Sequence, residues 1–446
     1  MKTNYLILGA NAAGMSAAMR IVKLDKQASI TVLEKSDVVS FGACGIPYFV
    51  GGEFADINQM TARPMEEFLK LGMDIRLFHA ASAVDHVNKR VTALDARGGR
   101  ELAFNYDKLM IAVGASPVMP PIKGLQTRNV HTMHSRQDAL TLLELLPQCR
   151  NVVIIGAGFI GLEAAEAFVT QGKKVTMIEA DQRAMARTLD KEITTHLEDA
   201  LQRHGVQLRC NESVLEIFSN EGRAHSVQTS HGNYPADLVL VAAGYKPNTG
   251  LLHNSGIQLS KQGAIIVDDQ CQTNLNNIYA AGDCATVPHR LNGDMYIPLA
   301  TTANKMGRTA GEVMAGKESR FIGALGSSGI RVFDVEAGRT GMTETEAMQL
   351  GLDYSTVFIQ DKNHTDYVAG QTDMWVKLVY DKASRKLLGG QICGAYMSGA
   401  VHRVDALAVA IYSGLTVDEL GMMDFIYAPP FARTWEIMNV AGNVAK

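Results

Sequence analysis

The sequence has few cysteines, and none in the spacings by which cysteines usually hold a metal. Six cysteines are spread over 446 residues, at positions 44, 149, 210, 271, 284 and 393. No two of them form a CxxC pair, and no cysteine–histidine spacing suits zinc. We therefore expect no metal site and a reducing, cytoplasmic environment, in which disulfides are rare.

Long apolar runs and a strong excess of one charge are also missing. No apolar run reaches the roughly 18–20 residues that a membrane-spanning helix needs. A net charge of −4, with 20% charged residues, argues against nucleic acid or an anionic membrane as a partner. The chain enters a predicted strand at Asn4, so we expect no signal peptide. A hydrophobic content of 47% over this length predicts two or three globular domains.

The N-terminal region follows the pattern of strand, glycine turn, helix, strand and acid. An apolar strand leads to Gly9, Asn11 and Gly14, and a second strand ends at Glu34. In dinucleotide-binding proteins the helix after such a turn binds the pyrophosphate, and the acid binds a ribose hydroxyl. Asn11 replaces the middle glycine. We expect it to preserve the turn, because asparagine tolerates the left-handed conformation.

A second and more complete copy of this pattern begins near residue 152. It carries Gly156, Gly158 and Gly161, and its second strand ends at Glu179. A carboxylate at that position accepts a ribose hydroxyl and repels a 2′-phosphate, which favours NADH and leaves NADPH as the alternative. The arginines that follow, at 183 and 187, would soften this preference, but we interpret them as a solvated surface.

Two similar buried strands bracket the second copy, and each ends in a turn of small residues. The first turn contains Ala112 and Gly114, and the second contains Gly244. We therefore predict that the second nucleotide-binding unit is inserted between two halves of the first domain.

A later strand, in the segment 273–283, ends in Gly282 and Asp283. A carboxylate at the end of this strand would hold a polyol hydroxyl, which FAD has in its ribitol and NAD lacks.

One cysteine, Cys44, lies in a segment that suits a reactive sulfur. Gly42 and Ala43 leave the sulfur accessible, and Pro47 suits the first turn of a helix starting near Cys44. A helix N-terminus lowers the pKa of a thiol, and the thiolate is the nucleophile. A CxxxxC disulfide would need a cysteine at position 39 or 49, and neither has one. The sulfur must therefore pair with something outside the protein, unless it is a small buried thiol.

Together these motifs resemble the flavoprotein disulfide reductases, and the segment 40–48 resembles their single-cysteine branch of coenzyme A-disulfide and persulfide reductases. The resemblance implies an α/β protein with two Rossmann-like dinucleotide-binding domains, for FAD and NADH, and a C-terminal α+β dimerisation domain. It places the FAD-binding domain at 1–115 and 245–320, the NAD(H)-binding domain at 116–244 and the dimerisation domain at 321–446.

The resemblance also implies further site residues. The segment 298–308 looks like the family helix whose start, at Ala300, faces the flavin. Tyr427 matches a tyrosine that reaches the active site of the other subunit, and Tyr367 matches a second family tyrosine less fully. The positions that match coenzyme A contacts in the family are Ser16, Arg20, Lys23, Ser40 and Ala43.

The two cations of that set lie one helical turn apart and would offer positive charge to phosphates. An exposed charge pair contributes only about 1 kcal/mol in water, so two cations alone do not select phosphate. A solvated helix face is the alternative interpretation. Arg63 and Lys70 are further cations for which charge is the only argument.

We therefore expect a homodimeric, FAD-dependent NAD(P)H:disulfide oxidoreductase whose active site is completed by the other subunit. It would reduce coenzyme A disulfide or coenzyme A persulfide through a mixed disulfide at Cys44. The alternatives are a polysulfide reductase, a flavin-based redox sensor, and an NADH oxidase or peroxidase that cycles Cys44 through sulfenic acid. The last is disfavoured because Ala12 stands where those family members carry a histidine.

Overall fold

The computed structural model describes residues 2–446. The α-helices are α1 (Ala12–Leu24), α2 (Ile46–Gly51), α3 (Met65–Lys70), α4 (Arg136–Leu145), α5 (Phe159–Thr170), α6 (Lys191–Arg203), α7 (Ala300–Met314), α8 (Glu344–Gln349), α9 (Ala400–Tyr412), α10 (Val417–Gly421) and α11 (Ile437–Val444). Short 3₁₀ turns lie at Ala43–Gly45, Ile57–Met60, Leu146–Gln148 and Gly250–Leu252.

The strands are β1 (Asn4–Leu8), β2 (Ser29–Leu33), β3 (Asp74–Arg76), β4 (His79–Asp85), β5 (Arg90–Asp95), β6 (Arg100–Asn105), β7 (Lys108–Ile111), β8 (Ala115–Pro117), β9 (Val130–His131), β10 (Asn151–Ile155), β11 (Lys174–Ile178), β12 (Gln207–Arg209), β13 (Val214–Asn220), β14 (Arg223–Thr229), β15 (Asn233–Pro235), β16 (Leu238–Val241), β17 (Tyr245–Pro247), β18 (Ile278–Ala280), β19 (Val287–His289), β20 (Gly293–Met295), β21 (Ser328–Val332), β22 (Val335–Gly341), β23 (Tyr354–Lys362), β24 (Asp373–Asp381) and β25 (Leu387–Ala395).

The chain divides into two compact units. The first comprises the residues up to Ile46, Phe54–Val118 and Tyr245–Ala324. The second comprises Pro47–Glu53, Met119–Gly244 and Leu325–Lys446. The boundaries of the three domains that the sequence suggests stay a prediction.

The first unit is built on a parallel sheet with the strand order β18-β7-β1-β2-β3. Its central strand β1 is almost fully buried, as expected for a strand covered on both faces. The strand leads through the predicted glycine turn into α1, which is the Rossmann-like arrangement that the sequence predicts. The remaining strands of this unit form the antiparallel sheet β4-β5-β6 and the pairs β17-β8 and β19-β20.

Helices α1 and α7 of the first unit cross at glycines. A Cβ atom added to Gly307 would lie 2.3 Å from the carbonyl oxygen of Ala13. One added to Gly311 would lie 2.5 Å from the carbonyl oxygen of Ala17. The two backbones therefore touch directly, which only glycine permits.

The second unit contains a parallel sheet with the order β12-β11-β10-β16-β9, and its central strand β10 precedes the second glycine turn. It also holds the antiparallel sheets β13-β14-β15 and β21-β22-β25-β24-β23. Helix α9 packs on the larger of these, where a Cβ atom on Gly390 would lie 2.6 Å from Leu407 Cδ1. The predicted second Rossmann-like arrangement and the C-terminal α+β arrangement are thus both present.

A buried lysine joins two parts of the second unit. Lys377, on β24, has a side chain that is 2% exposed, and its ammonium group lies 2.8 Å from Glu192 and 3.6 Å from Asp190. A buried charge needs such partners, because an unpaired one is strongly destabilising. None of the helices formed by residues 2–446 combines the length and apolar composition that crossing a membrane requires.

Candidate active site

The predicted FAD residues meet at one edge of the first parallel sheet. Gly9 follows β1, Glu34 follows β2, Ala112 follows β7, and Asp283 lies just beyond β18. The carboxyl ends of parallel strands share an edge, and this group surrounds the point at which β1 has β2 on one side and β7 on the other. Doubly wound sheets bind their ligands at that point.

The glycine turn after β1 is too crowded for side chains. Gly9 has φ +102°, and a Cβ atom there would lie 2.2 Å from the carbonyl oxygen of Ala112. A Cβ atom on Gly14 would lie 1.9 Å from the carbonyl oxygen of Gly9. The glycine turn forms with Asn11 at φ −104°, so the turn does not depend on asparagine's tolerance of the left-handed conformation. Gly9 provides that conformation, and asparagine is accommodated as the extended residue preceding α1.

The side chain of Asn11 connects this turn to the cysteine segment. Its Oδ1 accepts a hydrogen bond of 3.0 Å from the backbone N–H of Phe41. The backbone N–H of Ser40 donates to the carbonyl oxygen of Ala10 at 2.8 Å, and Ser40 itself has φ +51°. The segment that leads to Cys44 is therefore fixed to the loop of the first nucleotide site.

Cys44 is exposed, in the 3₁₀ turn Ala43–Gly45 that leads directly into α2. The helix therefore begins where the sequence predicts it. Burial raises the pKa of Cys210 to about 11 and the pKa values of Cys284 and Cys393 to about 12. Burial also raises the pKa of Cys149 and Cys271. The raised pKa values leave those five thiols protonated and poorly nucleophilic near neutral pH. The redox role of Cys44 stays a prediction.

The donor set at the first sheet edge fits FAD. Glu34 is 5% exposed, and its carboxylate accepts from the backbone N–H groups of Ala10 and Ser36, both at 2.8 Å. Burial raises the pKa of Asp283. A hydroxyl that donates to this carboxylate, such as one from the ribitol of FAD, would favour its charged form. Gly282 has φ +80°, and a Cβ atom there would lie 3.1 Å from Ala13 Cβ.

Two further predicted FAD residues lie in the same unit. Gly114 follows β7 with φ +65°, and Ala300 is the exposed first residue of α7. Their contacts with FAD stay predictions.

The second nucleotide site repeats the first in detail and fits NAD(P)H. A Cβ atom on Gly156 would lie 2.5 Å from the carbonyl oxygen of Ala242, and one on Gly161 would lie 2.1 Å from that of Gly156. Gly158, by contrast, has open space around it at the start of α5, where a pyrophosphate would lie. Gly244 has φ +98° and is exposed.

The carboxylate of Glu179 also stabilises the glycine turn of the second site. One oxygen of Glu179 accepts from the backbone N–H of Ala157 at 2.6 Å, and the other accepts from the backbone N–H of Asp181 at 2.8 Å. Glu179 thus has the same two kinds of partner as Glu34.

The predicted coenzyme A residues divide into partnered and exposed groups. Ser16 donates to Asn304 Oδ1 at 2.8 Å, and Arg20 forms an ion pair with the buried Glu312. Lys23 is exposed. Of the two predicted cations, Lys23 is therefore the one on the open surface, and the substrate contacts of this group stay predictions.

The remaining cations behave as surface charges. Arg63 precedes α3 and lies 3.4 Å from Glu67 in its first turn, and Lys70 is exposed at the end of α3. Ser40 and Ala43 are half-buried on either side of the exposed Gly42.

The two predicted tyrosines lie together in the second unit. The hydroxyl oxygens of Tyr367 and Tyr427 are 3.4 Å apart, and the residues are 71% and 46% exposed. The loop that carries Tyr427 is held by Thr365, which donates to the carbonyl oxygen of Pro429 at 2.9 Å, and by Arg403, which donates to that of Phe431 at 3.0 Å. Their catalytic roles stay predictions.

Sequence reasoning missed a carboxyl cluster at helix α2. Tyr48 donates to Glu163 Oε1 at 3.4 Å, and Arg331 lies 2.8 Å from Glu166 and pairs with Glu53. Burial raises the pKa of Glu163 to about 7. These residues line a small cavity in the second unit. The signal in the sequence was two glutamates in the otherwise small and apolar helix α5.

Comparisons with known proteins cover nearly the whole chain. The pyridine nucleotide-disulphide oxidoreductase family matches residues 3–307, and its dimerisation domain matches residues 327–438. The NAD(P)H coenzyme A polysulfide/persulfide reductase of Pyrococcus horikoshii is 40% identical over 450 residues, covering 100% of this chain and 99% of that protein. The NADH oxidase of Enterococcus faecalis is 32% identical over 442 residues, covering 99% and 98%.

A solved structure of an NAD-dependent persulfide reductase from A. fulgidus superimposes with a TM-score of 0.94 at 36% identity, covering 99% of this chain and 82% of that one. This chain therefore belongs to the pyridine nucleotide-disulphide oxidoreductase family and is a flavoprotein oxidoreductase that uses FAD and NAD(P)H.

Proposed function

We propose that this protein is an NAD(P)H-dependent reductase of coenzyme A persulfide or coenzyme A disulfide, with Cys44 as its redox-active sulfur. The observation that carries this proposal is the position of Cys44. It is exposed at the start of a helix, in a segment hydrogen-bonded to the turn of the first nucleotide site. The full-length similarity to a protein named as a coenzyme A polysulfide/persulfide reductase supports the substrate class.

Each of the two nucleotide sites would bind a different cofactor. Gly9, Gly14, Glu34 and Asp283 would hold FAD, and the second glycine turn with Glu179 would hold NAD(P)H. When bound, these cofactors supply the two electrons of each reduction. Glu179 favours NADH over NADPH, because its carboxylate accepts a ribose hydroxyl and repels a phosphate.

Cys44 carries the sulfur chemistry. Its thiolate attacks the coenzyme A sulfur of the substrate and forms a mixed disulfide. The leaving group is coenzyme A thiolate from the disulfide, or hydrosulfide from the persulfide. Two electrons and one proton then break the mixed disulfide, releasing coenzyme A thiol and restoring the Cys44 thiolate. Ser16, Arg20, Lys23, Ser40 and Ala43 are our candidates for the coenzyme A contacts.

We propose further that the enzyme is a homodimer in which Tyr427 and Tyr367 serve the active site of the other subunit. Exposed apolar side chains lie around Tyr427 in the sequence, namely Met422, Ile426, Phe431 and Trp435. Such a concentration of exposed apolar residues is typical of a protein interface. We propose that Tyr427 donates a proton to the leaving thiolate. A cytoplasmic location is supported by the scattered cysteines, no two of which form a CxxC pair.

The test is oxygen-free, steady-state NADH oxidation by the FAD-loaded protein. Coenzyme A persulfide, coenzyme A disulfide, glutathione disulfide and polysulfide are offered in parallel. We expect turnover with the first two and its loss in Cys44→Ser, while Cys44→Ser keeps its FAD and still reduces ferricyanide with NADH. Cys210→Ser is the control, since that thiol is half-buried and its pKa is raised.

Full turnover of Cys44→Ser on the coenzyme A substrates would refute the role of Cys44. Rapid NADH oxidation only when air is admitted would identify an oxidase, and turnover with polysulfide alone would identify a polysulfide reductase. Reduction by NADH without turnover on any acceptor would indicate a redox sensor.

A further inference from the structure

Two arginines follow Glu179, and the structure holds them in different ways. Arg183 donates from Nη2 to the carbonyl oxygen of Leu189 at 2.8 Å and to that of Ala186 at 3.3 Å. It is therefore part of the framework of the loop. The side chain of Arg187 is 86% exposed. Of these two arginines, Arg187 is the one positioned on the surface.

The partner of Arg187 is Asp181. The Nε atom of Arg187 lies 2.8 Å from Asp181 Oδ2, and its Nη2 atom lies 3.4 Å from Oδ1. The backbone N–H of Asp181 in turn donates to Glu179 at 2.8 Å. Asp181 therefore contacts the arginine through its side chain, and it contacts the acid that would bind the ribose through its backbone N–H.

The guanidinium also lies within electrostatic range of that acid. The hydrogen bond and the charge of Asp181 raise the pKa of Arg187, and the charge of Glu179 adds to the rise. A guanidinium close to this acid is what nucleotide sites use to accept the 2′-phosphate of NADPH, because its fork of N–H donors matches a phosphate.

We propose that Asp181 is a specificity-determining residue, which holds Arg187 in an ion pair and so withholds it from the 2′-phosphate of NADPH. Exposed ion pairs are individually weak, so this pair does not by itself lock the arginine in place. The barrier is the charge that remains, because a 2′-phosphate that captured Arg187 would still face the carboxylates of Asp181 and Glu179. This inference rests on the preference for NADH in the proposed function, which would then depend on Glu179 directly and on Asp181 through Arg187.

The experiment is calorimetric titration of the FAD-loaded protein with 2′,5′-ADP and with 5′-AMP, which differ by the phosphate in question. Asp181→Asn keeps the size of the side chain and the backbone N–H that Glu179 accepts. We expect it to tighten 2′,5′-ADP by roughly tenfold relative to 5′-AMP, the equivalent of about 1.4 kcal/mol. The double variant D181N/R187A should lose that gain. With ferricyanide as acceptor, the ratio of kcat/KM for NADPH to that for NADH should move in the same direction.

Asp334→Asn is the matched control, because it removes the carboxylate of another exposed pair, in which Arg203 lies 3.0 Å from Asp334. We expect it to leave the ratio of the two affinities unchanged. An unchanged ratio in Asp181→Asn and in Asp181→Ser would overturn the proposal, and so would a gain that persists in D181N/R187A. The titration involves no sulfur acceptor, so its result does not depend on the proposed reaction at Cys44.

Discussion

Glu34 and Glu179 occupy the same position in their two sheets, and each does more than its predicted ribose contact. Each carboxylate accepts one N–H group from its glycine turn and one from the residue two positions further along. A carboxylate with such partners stabilises the turn as well as presenting charge to a ligand. Removing either acid should therefore disturb the pyrophosphate loop together with ribose recognition.

Glu163 is the carboxyl group whose ionisation we expect to matter near neutral pH. Burial raises its pKa from 4.5 to about 7; the hydrogen bond from Tyr48 opposes this rise and the charge of Glu166 adds to it. A raised pKa means that the folded state holds the proton more tightly than the unfolded state. The stabilisation that results is present below pH 4.5 and is lost as the pH rises through 7.

Glu163→Gln should therefore become more stable relative to the wild type as the pH rises. The shift corresponds to a relative gain of at most about 3 kcal/mol between pH 4 and pH 8. Urea unfolding across that range measures it. Glu216→Gln is the control, because the Glu216 side chain is 34% exposed and lies 4.0 Å from Lys123. If the free energies of unfolding of Glu163→Gln and the wild type change in parallel with pH, burial does not raise the pKa of Glu163.

Among the secondary-structure elements, the crossing of α1 and α7 has the most direct effect on the site. Helix α1 begins at the first glycine turn, so its position determines where a pyrophosphate would bind. Gly307 and Gly311 allow α7 to touch its backbone. The same contact brings Glu312 to Arg20 and Asn304 to Ser16. The crossing thus positions both the FAD loop and the predicted coenzyme A residues.

Gly307→Ala should weaken this crossing. Helix propensity alone would stabilise the variant by about 1 kcal/mol. The added Cβ atom would lie 2.3 Å from the carbonyl oxygen of Ala13, and overpacking of this kind costs about 1–3 kcal/mol. Because backbone cannot give way as a side chain can, we expect the clash to dominate. The variant should melt at a lower temperature and retain less FAD per subunit.

Gly250→Ala is the comparison, since a Cβ atom there meets nothing within 4 Å. It should keep its FAD and its melting temperature. A Gly307→Ala protein that melts higher than the wild type with its FAD intact would mean that propensity outweighs the contact.

The sequence predicted best those elements whose signal is local. The strands before Gly9 and Gly156 are runs of buried apolar residues that end at a glycine, and β1 and β10 lie there. Arg20 shows what the sequence could not predict. Its helical spacing from Lys23 is visible in the sequence, but its partner Glu312 is 292 residues away and reaches it only because α7 packs on α1. At the first turn the sequence indicated that asparagine is tolerated, but it does not say which residue takes the left-handed conformation, and in the structure that residue is Gly9.

At the scale of the whole molecule, the residues assigned to one reaction belong to different units of the chain. Cys44 is in the first unit, and Tyr427 and Tyr367 are in the second. The dimerisation domain matched at residues 327–438 contains both tyrosines. In a twofold-symmetric dimer each subunit gives its partner the same residues that it receives. On the proposed function, one active site would therefore combine residues from both subunits of the dimer.

That proposal makes a prediction about mixed dimers. Cys44→Ser and Tyr427→Phe homodimers should each be impaired, because each lacks one component at both sites. In a mixed dimer, the Cys44 of the Tyr427→Phe subunit would meet the Tyr427 of the Cys44→Ser subunit, which makes one complete site. Co-expression of the two variants with different affinity tags, and purification through both tags, isolates this species. Coenzyme A disulfide reduction should then recover well above the level of either homodimer.

A mixed dimer of Cys44→Ser with the double variant C44S/Y427F is the control and should stay inactive. If Tyr427 served the Cys44 of its own chain, the mixed dimer would hold no complete site, and its activity would match the average of its parents.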